Sequence, residues 1–300
     1  MPTFSFEHIG NWGFIKPIPK GKLANGLLKY MSYKKQGIEF MPNPLWGICK
    51  LYNQKSGKFP WGLKNVAINV LIKWCELNPT DSFSLPEVKP INGSFEISDS
   101  LREYQKEAIK KLILYNGGII CMPCGGGKTK TIIEYLKIMN KQAVVVVPSL
   151  DIKTQWEKQV KELQFIRIIN FQNKLVIDFI KNSEIVVYDE CHRVAAKTVY
   201  KYAMKTNNNT ILIGASATPK REDGEDMKII AALGEIVYTI TRRELIEEGF
   251  LSDAKVYYHR PIFDLREDFK LDYDEIYSKH IVNNFDRNEL IIDEVLKYLK

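Results

Sequence analysis

Residues 119–137 read IICMPCGGGKTKTIIEYLK, and this stretch restricts the fold more than any other. It joins a short apolar run to a helical segment through three consecutive glycines, Gly125, Gly126 and Gly127. Four more short apolar runs follow: AVVVVP, FIRIINF, EIVVYDE and TILIGAS, with helical segments between several of them. A strand that is apolar at every position is buried on both faces. Such strands alternating with helices imply a parallel sheet built from βαβ units, and hence an α/β class.

In an open parallel sheet, ligands bind beyond the carboxyl ends of the strands. The three glycines sit there, after GIICM and before KTKTIIEYLKIM. Glycines let backbone N–H groups curl around a phosphate, and a helix N-terminus adds its dipole. Lys128 is then expected to reach the β- and γ-phosphates and Thr129 to ligate Mg²⁺. The strict pattern G-x-x-x-x-G-K-[ST] wants glycine where this chain has Met122. The same loop contains a C-x-x-C, Cys121 and Cys124, which admits a redox dithiol as a rival reading. That reading needs a thioredoxin-like fold rather than a Gly-Lys-Thr sequel.

A second signal lies about sixty residues on. EIVVYDECH ends an apolar run with Asp189, Glu190, Cys191 and His192. A carboxylate at a strand end can hold Mg²⁺, and one beside it can take a proton from an attacking water. Adjacent acids are usually solvated surface, but these directly follow four apolar residues.

Three hundred residues allow about two domains. The first part differs in grammar from the rest. Four of the five tryptophans (Trp12, Trp46, Trp61, Trp74) fall within the first 80 residues, among short runs broken by Pro and Gly. A strand is expected over 45–52, a turn at Asn53–Gly57, and a helix over KNVAINVLIKWCEL with Val66, Val70, Leu71 and Trp74 on one stripe. Residues 1–80 therefore read as a small α+β domain and 81–97 as a linker, centred on the Pro-, Ser- and Asn-rich NPTDSFSLPEVKPINGS of 78–94. Ser100 is expected to cap the helix LREYQKEAIKKLILY.

The net charge of +7 is uneven: residues 1–96 contribute +6, all of the basic groups being lysine, and the remainder +1. Such an excess suits a polyanion, with a solvated lysine surface as the alternative. The N-terminal tryptophans are read either as small-domain core or as base-stacking platforms. The odd count of five cysteines argues against a disulfide framework and for a reduced, cytoplasmic-type compartment. The longest apolar runs are strand-length, short of the roughly 20 residues that span a bilayer, so no membrane partner is expected.

Taken in order, these residues resemble a superfamily 2 DNA helicase of the XPB-like and UvsW-type phage branch. LREYQKEA is similar to the adenine-reading segment, with Arg102 and Gln105 implied as base contacts. MPCGGGKT resembles the phosphate loop of this superfamily, where an apolar residue at the Met122 position is common. VVVVPSLDIKTQW resembles a strand-contacting motif, which implies DNA contacts for Pro148, Ser149 and Gln155, although Gln155 and Trp156 also read as plain helix surface and helix core. IINFQ stands where a further DNA contact at Gln172 is implied. GASATPKRED is similar to the coupling segment, implying that role for Ser216, Ala217, Thr218 and Arg221.

The resemblance implies a RecA-like ATP-binding motor domain over 98–255, with 256–300 as a connection and the start of a second RecA-like domain whose arginines would reach the γ-phosphate. It implies ATP and Mg²⁺ as cofactors, Lys128, Asp189, Glu190 and His192 as the catalytic set, and branched or junction DNA as partner. His192 also reads as a hydrogen-bonded neighbour of the acids. The span from Pro148 to Asp189 is short for the family, so a strand or DNA-contacting loop is expected to be trimmed. A duplex translocase or restriction-type motor subunit, and a non-hydrolysing ATP- and DNA-binding module, are the competing functions.

Overall fold

The computed structural model describes residues 2–41, 43–86, 95–218, 224–253, 256, 258 and 272–298. Two compact units make up the chain, Met1–Ser252 and Asp253–Lys300. The first unit opens with β1 (Thr3–Ile9), β2 (Trp12–Lys16), α1 (Gly21–Tyr30), β3 (Ser32–Lys34), β4 (Ile48–Lys50), β5 (Lys58–Pro60), α2 (Lys64–Leu77) and β6 (Ser82–Phe83). It continues with α3 (Glu103–Leu114), β7 (Gly118–Cys121), α4 (Lys128–Met139), β8 (Ala143–Val147), α5 (Leu150–Gln159), β9 (Ile166–Asn170), α6 (Val176–Asn182) and β10 (Ile185–Asp189). After a 3₁₀ turn at Cys191–Ala195 come α7 (Lys197–Ala203), β11 (Ile211–Ser216), α8 (Asp226–Leu233), β12 (Ile236–Thr239) and α9 (Arg242–Glu247).

The six strands β7 to β12 form one sheet in the order β12-β7-β11-β10-β8-β9, and every pairing is parallel. All five residues of β8 are buried. Successive side chains of a strand point to opposite faces, so the continuous apolar runs feed two cores at once. Ile120, Val145, Val147 and Val187 meet α3, α4 and α5 through Ile109, Leu136 and Trp156. Ile119, Val144, Val146, Val186 and Tyr188 meet α6, α7 and α8 through Ile180, Val199 and Leu233. The order places β7, β11 and β10 side by side, so the residues that follow these three strands converge at one edge.

The N-terminal layer is built differently. β1 and β2 form an antiparallel hairpin, β5 extends it, and β6 pairs in parallel with β1 through Thr3↔Ser82 and Phe4↔Phe83. Helices α1 and α2 cover one face, with Ile15, Leu27, Phe59, Leu63 and Leu71 almost wholly buried. This layer shares its core with α8 through Ala231. Asn11, only 4% exposed, donates its Nδ2 to the carbonyls of Ala203 (3.1 Å) and Ala232 (2.7 Å). Gly62 lies so close to α8 that a Cβ there would sit 2.0 Å from the Ile230 carbonyl oxygen.

Three local expectations need correction. The strand expected over 45–52 is shorter: Pro44–Gly47 is a 3₁₀ turn and only Ile48–Lys50 is strand. The Asn43 side chain accepts the Leu45 N–H at 2.9 Å, and this turn competes with extension. Ser100 does not cap α3; its hydroxyl pairs with Ser98 at 2.9 Å. The helix starts at Glu103, where Gln105 Oε1 accepts the Arg102 N–H at 3.0 Å and Gln105 N–H donates to the Arg102 carbonyl at 2.9 Å. Finally, the early part of the 78–94 segment carries structure, since it includes β6, and Asp81 accepts the Trp74 indole N–H at 2.8 Å. Residues 87–94 lie outside the described residues.

In the second unit, α10 (Tyr273–Tyr277) is capped by Asp272, whose Oδ1 accepts the Glu275 N–H at 2.9 Å. A π turn at Ser278–Val282 leads to α11 (Phe285–Tyr298), which exposes Ile291, Ile292, Val295 and Leu296. No helix among the described residues is long and apolar enough to cross a membrane.

Candidate active site

The loop that leaves β7 explains the departure from the strict glycine pattern. Met122 is fully buried in the core beneath the sheet, and its N–H donates to the Ser216 carbonyl at 3.1 Å. The position anchors the loop to the core, leaving the curl itself to Gly125 and Gly127, both at φ +80°, a conformation that favours glycine. Neighbours crowd the glycines. A Cβ would come within 2.3 Å of Gln105 Nε2 at Gly127, and within 2.9 Å of Leu251 Cδ2 at Gly125. Lys128 and Thr129 are the first residues of α4, where unsatisfied N–H groups favour an anion. Lys128 Nζ donates to the Met122 carbonyl at 3.1 Å, across the hollow of the loop. The Thr129 hydroxyl has no hydrogen bond among the described residues.

Burial pushes the Cys121 thiol above its ordinary range, which disfavours the thiolate. That opposes the dithiol reading of the same loop. The cysteines Cys49, Cys75, Cys121, Cys124 and Cys191 are all free.

The segment expected to read the base lies against the loop. Gln105, 4% exposed, has Nε2 3.4 Å from the Gly127 carbonyl. Tyr104 donates its hydroxyl to the Gly126 carbonyl at 2.9 Å, and Arg102 Nη1 donates to the Tyr104 oxygen at 3.0 Å. The Arg102 guanidinium also lies 4.3 Å from the ring centre of Phe250. Tyr104 and Phe250 were not among the expected site residues. Phe250 comes from the turn after α9, far along the chain, and no local sequence signal connects it to the loop.

The acids occupy the end of β10, which β11 separates from β7. Asp189 closes β10, and its Oδ2 accepts the indole N–H of Trp156 at 2.8 Å while its Oδ1 accepts the Glu190 N–H at 3.0 Å. Glu190 has φ +49°, a left-handed conformation that L residues seldom adopt. Its Oε2 lies 3.4 Å from His192 Nδ1 and 3.5 Å from Ser216 Oγ, and the latter two atoms are 3.2 Å apart. Thr218 N–H donates to Ser216 Oγ at 3.3 Å, with Ala217 in the bend between them. Three expected groups, Glu190, His192 and the Ser216–Thr218 segment, are thus in mutual contact. Arg221 lies outside the described residues.

The expected DNA contacts form a looser set. Ser149 caps α5 by accepting the Ile152 N–H at 3.3 Å, with Pro148 just before it. Gln155 is exposed on α5 next to buried Trp156. Gln172 is exposed, and its N–H donates to Asn170 Oδ1 at 2.8 Å. Beside it, Phe171, His192, Arg193, Ala196 and Val199 line an open cavity of about 310 Å³.

An all-parallel sheet with a phosphate-type loop after β7 and an acid pair at the end of β10 defines a RecA-like fold. The comparisons agree. Residues 98–174 and 164–221 match the family described as type III restriction enzyme, res subunit. Among curated proteins, the DNA 3'-5' translocase XPB2 of Sulfurisphaera tokodaii is 27% identical over 187 residues, covering 57% of this chain and 41% of its own. A protein of a Sulfolobus islandicus filamentous virus designated helicase 22 is 26% identical, covering 84% of this chain and 53% of its own. Among solved structures, the UvsW helicase from bacteriophage T4 superposes with a TM-score of 0.61 at 16% identity, over 79% of this chain and all of that one. Over residues 98–221 the chain is thus similar to the res-subunit family, and more broadly to XPB-type DNA translocases and helicases. It spans about half the length of the curated relatives it matches.

Proposed function

We propose that this chain binds and hydrolyses ATP and uses the cycle to move along DNA, acting on branched or junction substrates. The observation that carries the reading is the convergence at one sheet edge of the Lys128–Thr129 loop, the Asp189–Glu190 pair and the Ser216–Thr218 segment. In this reading the phosphates lie in the loop of Gly125–Gly127, against the first turn of α4. Lys128 gives up its contact with the Met122 carbonyl to bind the terminal phosphates. The base sits near Arg102 and Gln105.

Thr129 and Asp189 offer hard oxygen donors of the kind Mg²⁺ prefers, and the ion would neutralise charge developing on the phosphates. Glu190 orients the attacking water and takes its proton. Glu190, His192 and Ser216 touch one another, so a change at the phosphates reaches the Ser216–Thr218 segment through direct contacts. Ser149, Gln155 and Gln172 would face the strand, with Pro148 shaping the approach and the lysines of residues 1–96 adding phosphate contacts. A second RecA-like domain is expected to supply arginines at the γ-phosphate.

ATP turnover measured alone and with single strands, duplex and a four-way junction tests this. Turnover that rises most with the junction and vanishes in Glu190→Gln supports the reading. DNA and ATP binding without turnover in the unsubstituted protein would replace it with a non-hydrolysing binding module.

A further inference from the structure

We propose that Trp156 is a positioning residue for Asp189, and that it makes α5 the element through which a strand bound outside is felt at the metal-binding carboxylate. This inference rests on the ATPase reading above.

Trp156 is 1% exposed and packed in the core between α5 and the sheet, so its ring cannot turn away. Its only polar atom, Nε1, donates to Asp189 Oδ2 at 2.8 Å. The other oxygen, Oδ1, accepts the Glu190 N–H at 3.0 Å. One fixed donor on each oxygen sets the plane of the carboxylate. A carboxylate offers about four acceptor sites, so each oxygen keeps one for a metal or its water. Donors of this kind fix the orientation of a metal ligand, and losing one typically costs 10–100-fold in metal affinity or activity.

The other face of the helix makes the arrangement more than local. Gln155, the neighbour of Trp156, points to solvent, and Ser149 caps the helix at its start. A shift of α5 on binding a strand moves the indole N–H relative to Asp189. Any such coupling is reciprocal: strand binding alters metal affinity by the factor by which metal alters strand affinity.

The test uses the 300-residue chain, a fluorescent ATP analogue, Mg²⁺ and an oligo(dT) strand. The analogue's binding is titrated with Mg²⁺, with and without the strand, in the unsubstituted protein, in Trp156→Phe and in Trp156→β-(3-benzothienyl)alanine. The last replaces the N–H by sulfur while keeping the ring's shape, so it decides the matter if the Phe variant fails to fold. The expected result is a Mg²⁺ half-saturation raised roughly tenfold, unchanged binding in EDTA, and loss of the strand-induced shift seen in the unsubstituted protein. An unaltered half-saturation in the benzothienyl variant overturns the positioning role. A raised half-saturation with the strand-induced shift intact overturns the role of α5. An unsubstituted protein that binds no nucleotide at any Mg²⁺ concentration refutes the ATPase reading itself, and this proposal with it.

Discussion

The parallel sheet of β7–β12 and the N-terminal layer of β1–β6 solve the same burial problem in opposite ways. The parallel sheet is covered on both faces, and its central strands are buried along nearly their whole length. The N-terminal sheet is covered on one face by α1 and α2, and its strands mix buried with exposed positions, as in the pattern of Thr3–Ile9. A doubly covered sheet leaves its strand ends as the natural place for ligands, and there the Gly-rich loop and the acids gather. Most of the chain's excess positive charge belongs to the N-terminal region. Under the proposed function the difference separates chemistry from grip, although the two regions share a core at Ala231.

The largest expected effect concerns the chemistry. Glu190→Gln should lower ATP turnover by about 10²–10⁴-fold while leaving nucleotide binding in place. Replacing the exposed Lys16, Lys20 and Lys22 together by Ala should leave DNA-independent turnover unchanged, while the salt dependence of DNA binding flattens by about one unit of slope for each phosphate no longer neutralised. A fall in basal turnover in that triple variant would break the division between chemistry and grip.

The next pair asks whether the two regions unfold as one. Met122→Ala in the core of the parallel sheet should cost about 2–5 kcal/mol and Phe59→Ala in the N-terminal core about 3–5 kcal/mol, since both side chains are fully buried. Denaturation followed by tryptophan fluorescence and by far-UV circular dichroism should give coincident transitions for both variants. Separate transitions would mean that the packing against α8 does not join them.

A smaller effect probes that junction directly. Asn11→Ala removes one donor from each of the carbonyls of Ala203 and Ala232 and should cost about 1–3 kcal/mol, read as a shift in the denaturation midpoint.

The smallest is a pH effect. Burial holds the His8 imidazole below its usual pKa, Lys64 adds to this, and a backbone bond at Gly10 opposes it. As pH falls below the ordinary imidazole value of about 6.5, the unfolded chain takes up a proton that the folded one refuses. Stability therefore declines with acidification until the lowered folded value is passed. His8→Gln should flatten that part of the pH–stability curve, and an unaltered curve would remove His8 from the account.

What was legible follows from the range of the interactions involved. The five apolar runs became strands because continuous Val and Ile stretches such as 143–147 have few other ways to be buried. The loop and the acids were legible because each sits beside its own strand. Ser100 has a capping residue's chemistry, but capping depends on where the chain turns, and here the side chain of Gln105 takes that part. The 45–52 strand was cut short by one side-chain hydrogen bond at Asn43.

By itself the sequence determined the α/β alternation, the phosphate-type loop and the identity of the acids, because these depend on residue type and on near neighbours. Only the tertiary structure decided that Phe250 lies against Arg102, that the Trp156 indole holds Asp189, and that Ser216 meets Glu190 and His192. Those contacts join residues separated by 148, 33 and about 25 positions. Their partners are chosen by strand order and helix packing, which no local pattern encodes.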